Sequence, residues 1–155
     1  MKVRDIMIHP VQSCGPETNL AAAAMMMWDG DCGVLPVVNF EGKVIGMITD
    51  RDICMAAATR NRPPSEITVF ETITGQVHAC APGDDIHGAL ETMAKHQVRR
   101  LPVVDAGGRL AGMVSMNDLV LRAGERMGRK APELTHEEVV RALKAIDAHR
   151  ILVGL

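Results

Sequence analysis

The chain has 155 residues, of which 47% are hydrophobic and 23% charged, with a net charge near −2 and a pI of about 6.3. This is an ordinary globular composition, long enough for one compact domain. The near-neutral balance draws in no nucleic acid, and with no tyrosine and 2% aromatics there is no ring-rich basic strand for bases to stack on. The N-terminus, Met1-Lys2-Val3-Arg4-Asp5, turns charged at once, and no apolar run approaches the roughly 18 residues of a membrane span, so the chain reads as cytoplasmic. Eleven methionines, with alanine, fill space that rings usually fill. Cys14, Cys32, Cys54 and Cys80 show no C-x-x-C pair and read as buried, reduced thiols. The six histidines lack helical ligand spacing, so no metal site is expected.

A lead-in ends near Pro10, and Val11 to Gly15 reads as a short strand. Pro16-Glu17-Thr18 opens a helix, with Thr18 as its expected cap. Leu20, Ala23, Ala24, Met27 and Trp28 then follow helical spacing and predict a core-facing stripe. Met25, Met26 and Trp28 read as core or dimer-contact residues. Gly30 and Gly33 end this helix, Val34 to Val38 is a β-rich run, and a turn over 39–43 returns the chain as a second strand, Val44 to Ile48. A helix from Asp50 to about Thr59 follows, and Arg62-Pro63-Pro64-Ser65 breaks the chain.

The same order then recurs at an offset of 66 residues. Leu35-Pro36-Val37-Val38 returns as Leu101-Pro102-Val103-Val104, and Gly46-Met47-Ile48-Thr49-Asp50-Arg51-Asp52 as Gly112-Met113-Val114-Ser115-Met116-Asn117-Asp118. Cys14 and Pro16 return as Cys80 and Pro82, Val3 as Val69, and the helical stripe as Ile86, Ala89, Leu90, Met93 and Ala94. Each unit is therefore β-α-β-β-α, the second closing on a helix from Asn117 to about Met127. Two such small units are each marginal alone and are expected to share one core. The divisions are a first repeat over 1–66, a second over 67–127 and a helical tail over 128–155. In the tail, Thr135-His136-Glu137-Glu138 is a capping-box start, and Val139, Leu143 and Ile146 form an apolar face of a helix ending near His149. Ile151 to Leu155 is too apolar to remain in water, docking either on its own domain or on another protein.

These blocks resemble a tandem pair of cystathionine β-synthase (CBS) domains, the Bateman module, over roughly residues 3 to 127. The resemblance rests on Val11 to Pro16, on the two L-P-V-V strands and on the two G-h-h-[TS]-x-x-D junctions. It implies an α/β (α+β) fold of two repeats packed about a pseudo-twofold axis, here with an added C-terminal helix, and two clefts between the repeats. It further implies a regulatory module, commonly a homodimer, that binds AMP, ADP, ATP, NAD or S-adenosylmethionine and transmits occupancy to a partner or client protein. No catalytic cofactor is implied, and nothing in the chain forms a nucleophile elbow or Gly-rich phosphate loop, so no enzyme activity is expected. The alternative is a CBS-fold scaffold that binds no ligand.

The junctions have chemistry of their own. A carboxylate accepts hydrogen bonds and donates none, which suits the vicinal hydroxyls of a ribose, so Asp52 and Asp118 are the expected sugar ligands. Thr49 and Ser115, at helix starts with free backbone N–H groups, are placed to help hold phosphate. The same pairs also satisfy a capping box, and the two roles can coexist. Cations for phosphate are Arg51, which has Asn117 in its place in the second unit, and Arg99 and Arg100, which have Gly33 and Val34 in theirs. The resemblance carries a phosphate role to Arg100 and not to Val34. Backbone near Ser13, Cys14 and Val34, and near Ala79 and Cys80, is expected to face adenine.

Overall fold

The computed structural model describes residues 1–124 and 132–148. The first unit comprises α1 (Leu20–Asp29), β1 (Val34–Val38), β2 (Val44–Thr49) and α2 (Asp50–Thr59). The second repeats this order with α3 (Ile86–His96), β3 (Arg100–Val104), β4 (Leu110–Ser115) and α4 (Met116–Arg122), and α5 (His136–Ile146) follows. Each unit holds an antiparallel two-stranded sheet, and the registers correspond: Pro36 faces Met47 as Pro102 faces Met113. No helix among the described residues is long and apolar enough to cross a membrane.

The expected opening strands shrink to single residues. Cys14 bridges Val37 in parallel and Cys80 bridges Val103, each adding one rung beside its hairpin. The first helix also starts later than expected. Asn19, not Thr18, is the cap, accepting from the Ala22 N–H at 2.9 Å, while Thr18 Oγ1 accepts from the Gly15 N–H at 3.2 Å. An asparagine amide oxygen is as good a cap as a hydroxyl, and here it stands one residue nearer the stripe. α4 ends at Arg122 rather than near Met127, because Ala123 turns extended and Gly124 pairs with Thr135.

The units do not share one core. Leu20, Ala23, Met27, Leu35, Val37, Ile48 and Ile53 form one buried cluster, and Ile86, Leu90, Met93, Leu101, Val114 and Leu119 anchor another. What joins them is an exchange of lead-ins. Val3 and Ile6, at the start of the chain, lie in the second unit's core, whereas Ile67 and Val69 lie in the first unit's. The bonds mirror each other: Val3 N–H to Asp84 O and Arg4 N–H to Pro82 O at 3.0 Å, against Val69 N–H to Thr18 O at 2.8 Å and Phe70 N–H to Pro16 O at 3.0 Å. Each unit thus leaves part of its buried surface to be covered by the other's leading segment, which answers the marginal stability of a sixty-residue fold by a different route from a merged core.

α5 completes the second unit. Thr135 and Glu138 form the expected reciprocal cap, and Leu134, Val139, Ala142 and Ile146 are buried against the second core, with Leu143 half-buried. Gln97 donates to the carbonyls of Ala145 and Ala148, and Arg99 bonds Asp147 at 2.5 Å. The helix therefore docks on its own domain; Ile151 to Leu155 and the end near His149 lie outside the described residues. The face of α1 that corresponds to α5's seat on α3 carries no such cover among the described residues. Met25 is 59% exposed and Trp28 84% exposed, so neither is a core residue, as the stripe implied for Trp28.

The exchanged lead-ins explain Gly46 and Gly112. A Cβ on Gly112 would sit 2.8 Å from the Ile8 carbonyl oxygen, and Ile8 and Met113 exchange backbone bonds at 2.8 and 3.0 Å, so that neighbour cannot retreat. A Cβ on Gly46 would meet only the Ile73 side chain, at 2.6 Å from Cδ1, the far end that can change rotamer, and at an ordinary 3.4 Å from Cβ and Cγ1. Gly112→Ala should therefore lose about 1–3 kcal/mol by overpacking, and Gly46→Ala less than about 1 kcal/mol. Urea unfolding of both variants checks this asymmetry, and equal losses would contradict it.

Candidate functional site

The seam between the units opens as a cavity of about 330 Å³, within the range of small-molecule sites. Its walls come from both repeats and from the crossing lead-in. Val11, Gln12, Val34 and Pro36 of the first unit face Arg100, Met113, Ser115 and Asp118 of the second, with Ile8 and Pro10 between them and the Gly30–Cys32 loop at the rim. Four of the residues expected from sequence are thereby brought together: Val34, Arg100, Ser115 and Asp118. Val11, Gln12, Pro36, Met113 and the rim loop were not expected; the signal that could have found them is the crossing of the lead-in, which sets Ile8 beside Met113.

At the junction of β4 and α4, Asp118 is fixed by a reciprocal cap. The Ser115 N–H donates to Asp118 Oδ2 at 2.7 Å, the Ser115 hydroxyl donates to the same oxygen at 2.6 Å, and the Asp118 N–H donates to Ser115 Oγ at 3.3 Å. The β2–α2 junction repeats this, with the Thr49 N–H to Asp52 Oδ2 at 3.0 Å and the Asp52 N–H to Thr49 Oγ1 at 3.1 Å. The capping role is thus real in both halves. It engages one oxygen of each carboxylate, and Oδ1 receives no bond from the described residues. Both carboxylates are half-buried, each is held in place through one oxygen, and Asp118 lines the cavity.

The cations divide. Arg100 lines the cavity and also a neighbouring concavity of about 460 Å³ between α1 and α2, reached past Asp31 and Cys32. Arg99 is instead paired with Asp147, the residue that follows α5, and does not line the cavity. The Arg51 side chain and Asn117 are exposed at the second positions of α2 and α4, and neither lines the cavity.

Backbone near the opening strands is partly occupied. Cys14 donates its N–H to Pro36 O and accepts from Val38 N–H, and Cys80 does the same with Pro102 and Val104, so neither residue has a free N–H for a base. Ser13 and Ala79, next to them, are half-buried. Burial pushes the Cys14 and Cys80 thiols up to about 11, which leaves them protonated packing groups. Cys32 and Cys54 are exposed, contrary to the expectation that all four thiols are buried; each sits where its helix or loop faces outward. Among the described residues no group of three or more His, Cys, Asp or Glu side chains is arranged to hold a metal ion.

With this geometry in hand, comparison with known proteins is direct. The CBS domain family model matches the chain twice, over residues 3–59 and 68–125. The CBS domain-containing protein YhcV of Bacillus subtilis is 32% identical over 143 residues, covering 88% of this chain and 97% of that protein. Hypoxic response protein 1 of Mycobacterium tuberculosis is 32% identical over 143 residues, 92% of each chain. The crystal structure of Hypoxic Response Protein I, with two coordinated zinc ions, superposes with a TM-score of 0.73 at 32% identity, covering 80% of this chain and all of that one. The CBS domain pair of protein MJ0100, in complex with 5′-methylthioadenosine and S-adenosyl-L-methionine, superposes with a TM-score of 0.71 at 26% identity over 78% of this chain and 94% of that one. Two family matches in tandem, each containing a capped G-h-h-[TS]-x-x-D junction, show that the chain belongs to the CBS domain family, as a CBS domain pair.

Proposed function

We propose that this protein is a stand-alone regulatory module that binds an adenosine-containing ligand in the seam between its repeats. The observation that carries this is the convergence of Asp118, Ser115 and Arg100 from the second repeat on an apolar wall of Val11, Val34 and Pro36 from the first. Asp118 Oδ1 accepts from the ribose hydroxyls, the Ser115 hydroxyl and the start of α4 meet a phosphate, Arg100 adds charge, and the apolar wall takes the base. The adenosine ligands of MJ0100 support the ligand class. Asp52 and Thr49 supply the same groups to a second cleft related by the repeat.

Such a ligand touches both repeats and so favours the relative arrangement that brings them closest. Its signal is a population shift no larger than its differential affinity for the two arrangements, about 1–3 kcal/mol in typical couplings. The receiver we infer is a second copy of the chain, paired through the uncovered helix face that carries Met25, Trp28 and, on α2, Met55. No reaction is assigned to the module.

The competing reading is a ligand-free scaffold, and the capping boxes favour it, since they account for both junction motifs without a ligand. The two part on ligand-induced stabilisation. An adenosine nucleotide at about 100 times its Kd should add about 2.7 kcal/mol to unfolding. Calorimetry should find affinity at its own cleft reduced about 10- to 150-fold in Asp118→Ala and in Asp52→Ala, equivalent to the ~1.5–3 kcal/mol of a charge-assisted hydrogen bond. An unshifted melting curve with AMP, ADP, ATP, NAD and S-adenosylmethionine would leave the scaffold reading in possession.

For the assembly, Trp28→Glu places a charge at the centre of the proposed contact. Sedimentation should show a dimer for the unsubstituted chain and a monomer for the variant, with the melting temperature of the fold little changed because Trp28 is almost fully exposed. A monomer in both would overturn the dimer.

A further inference from the structure

In the first unit Gln12 and Gly30 meet at the wall of the cavity, so closely that a Cβ on Gly30 would lie 2.8 Å from Gln12 Oε1. Their counterparts 66 residues on are His78 and His96, whose half-buried rings stack with centroids 3.6 Å apart and planes 15° apart. Repeat correspondence therefore puts two imidazoles in contact on the wall of the second cleft, the one served by Thr49 and Asp52. In that cleft the two facing residues exchange places: Val34 stands at the position that Arg100 occupies in the first, and Arg100 at the position of Val34.

We propose that the His78–His96 pair is the phosphate-binding element of the Asp52 cleft, taking up a proton as a phosphate-bearing ligand enters, so that this cleft alone answers to pH. The proposal rests on the reading of the junctions as nucleotide sites given above. In the free protein two stacked rings cannot both be charged without repulsion, and partial burial, then His78 and Lys95, hold His96 below the usual imidazole value. His96 is therefore neutral near pH 7. A phosphate dianion against the rings reverses the balance: it stabilises imidazolium and gives each ring N–H an acceptor. The charged groups flanking the pair along the chain are Lys95, Arg99 and Arg100, with Arg99 already held by Asp147, and across the seam by repeat correspondence Asp52. Lys95 works against protonation of the empty pair, and Asp52 is held in its cap with the Thr49 N–H.

The sign follows from linkage. Proton uptake on binding makes affinity rise as pH falls through the window between the lowered imidazole value and the raised one of the complex, by at most tenfold per pH unit for one proton. Without ligand, a lowered His96 makes the fold lose stability as pH falls through that range.

Calorimetry with AMP and with adenosine on Asp118→Ala, which leaves the Asp52 cleft intact, and on Asp52→Ala, which leaves the other, is the test. Between pH 7.5 and 6.5, AMP should bind about 5-fold more tightly to Asp118→Ala and change less than about 2-fold on Asp52→Ala, in line with an arginine that stays charged throughout. Any effect of AMP's own phosphate ionisation falls on both clefts alike. Adenosine should show no pH dependence at either cleft, and binding enthalpies in buffers of different ionisation heat should register about one proton taken up with AMP at the Asp52 cleft only. His78→Gln, the residue the first unit uses, and separately His96→Gln should remove the pH dependence in the Asp118→Ala protein. Equal pH dependence at the two clefts, or its survival in either histidine variant, overturns the role of the pair. AMP binding to neither cleft overturns the nucleotide reading itself, and the pair's role with it.

Discussion

Each repeat in this chain is closed by a segment that belongs, in sequence, to the other. Val3 and Ile6 are buried in the second core and Ile67 and Val69 in the first, tied by backbone bonds that match residue for residue across the repeat. Neither half can be withdrawn without stripping the other of buried apolar side chains, and two nearly independent cores are held at a defined seam. The glycines of the two junctions belong to this constraint, because Gly112 admits the backbone of Ile8 and Gly46 admits Ile73 at close range. The seam then inherits its chemistry, since the exchange leaves the β4–α4 junction facing the first unit's strand.

At that junction the structural device and the proposed binding device use the same carboxylate. Asp118 ties off α4 through one oxygen, and the bond that caps the helix also sets the direction of the other oxygen. Pre-orientation of this kind lowers the ordering cost of binding, which is why a capping box is compatible with a ligand and does not compete with it. The halves are not equivalent, however. Arg100 and Val34 hold corresponding positions on the two sides of the seam, the second unit stacks His78 on His96 where the first has Gln12 and Gly30, and one unit is covered by α5 while the other shows Trp28 to its surroundings. Duplication supplied two junctions of one geometry, and substitution has given them different neighbours.

Much of the architecture was legible because local pattern and fold agree here. The L-P-V-V hairpins, the junction helices and the α5 cap all come from signals that neighbouring residues carry by themselves. The readings that missed involve contacts distant in sequence. A single bridge at Cys14 looks like a strand until its partner is known, and a helical stripe through Trp28 looks like core until it is clear that only α3 has α5 to cover it. The crossing of the lead-ins was present in the matched Val3 and Val69, but a repeat alone does not say that each copy packs on the other. For the same reason Asp118, Ser115 and Arg100 could be named from the sequence, whereas Gln12 and the rim loop that face them could not. The pairing of Arg99 with Asp147 could not be read either, because that partner lies 48 residues away, just past a helix outside the repeat.

The central claim is that Asp118 presents its free oxygen to the sugar of a ligand lodged between the repeats. A crystal structure grown with saturating AMP tests it most directly. The account predicts the ribose hydroxyls on Asp118 Oδ1, the phosphate near Ser115 and Arg100, and the adenine against Val11 and Val34. A seam closed by the protein's own side chains, or AMP bound elsewhere with Asp118 serving only its helix, would contradict it.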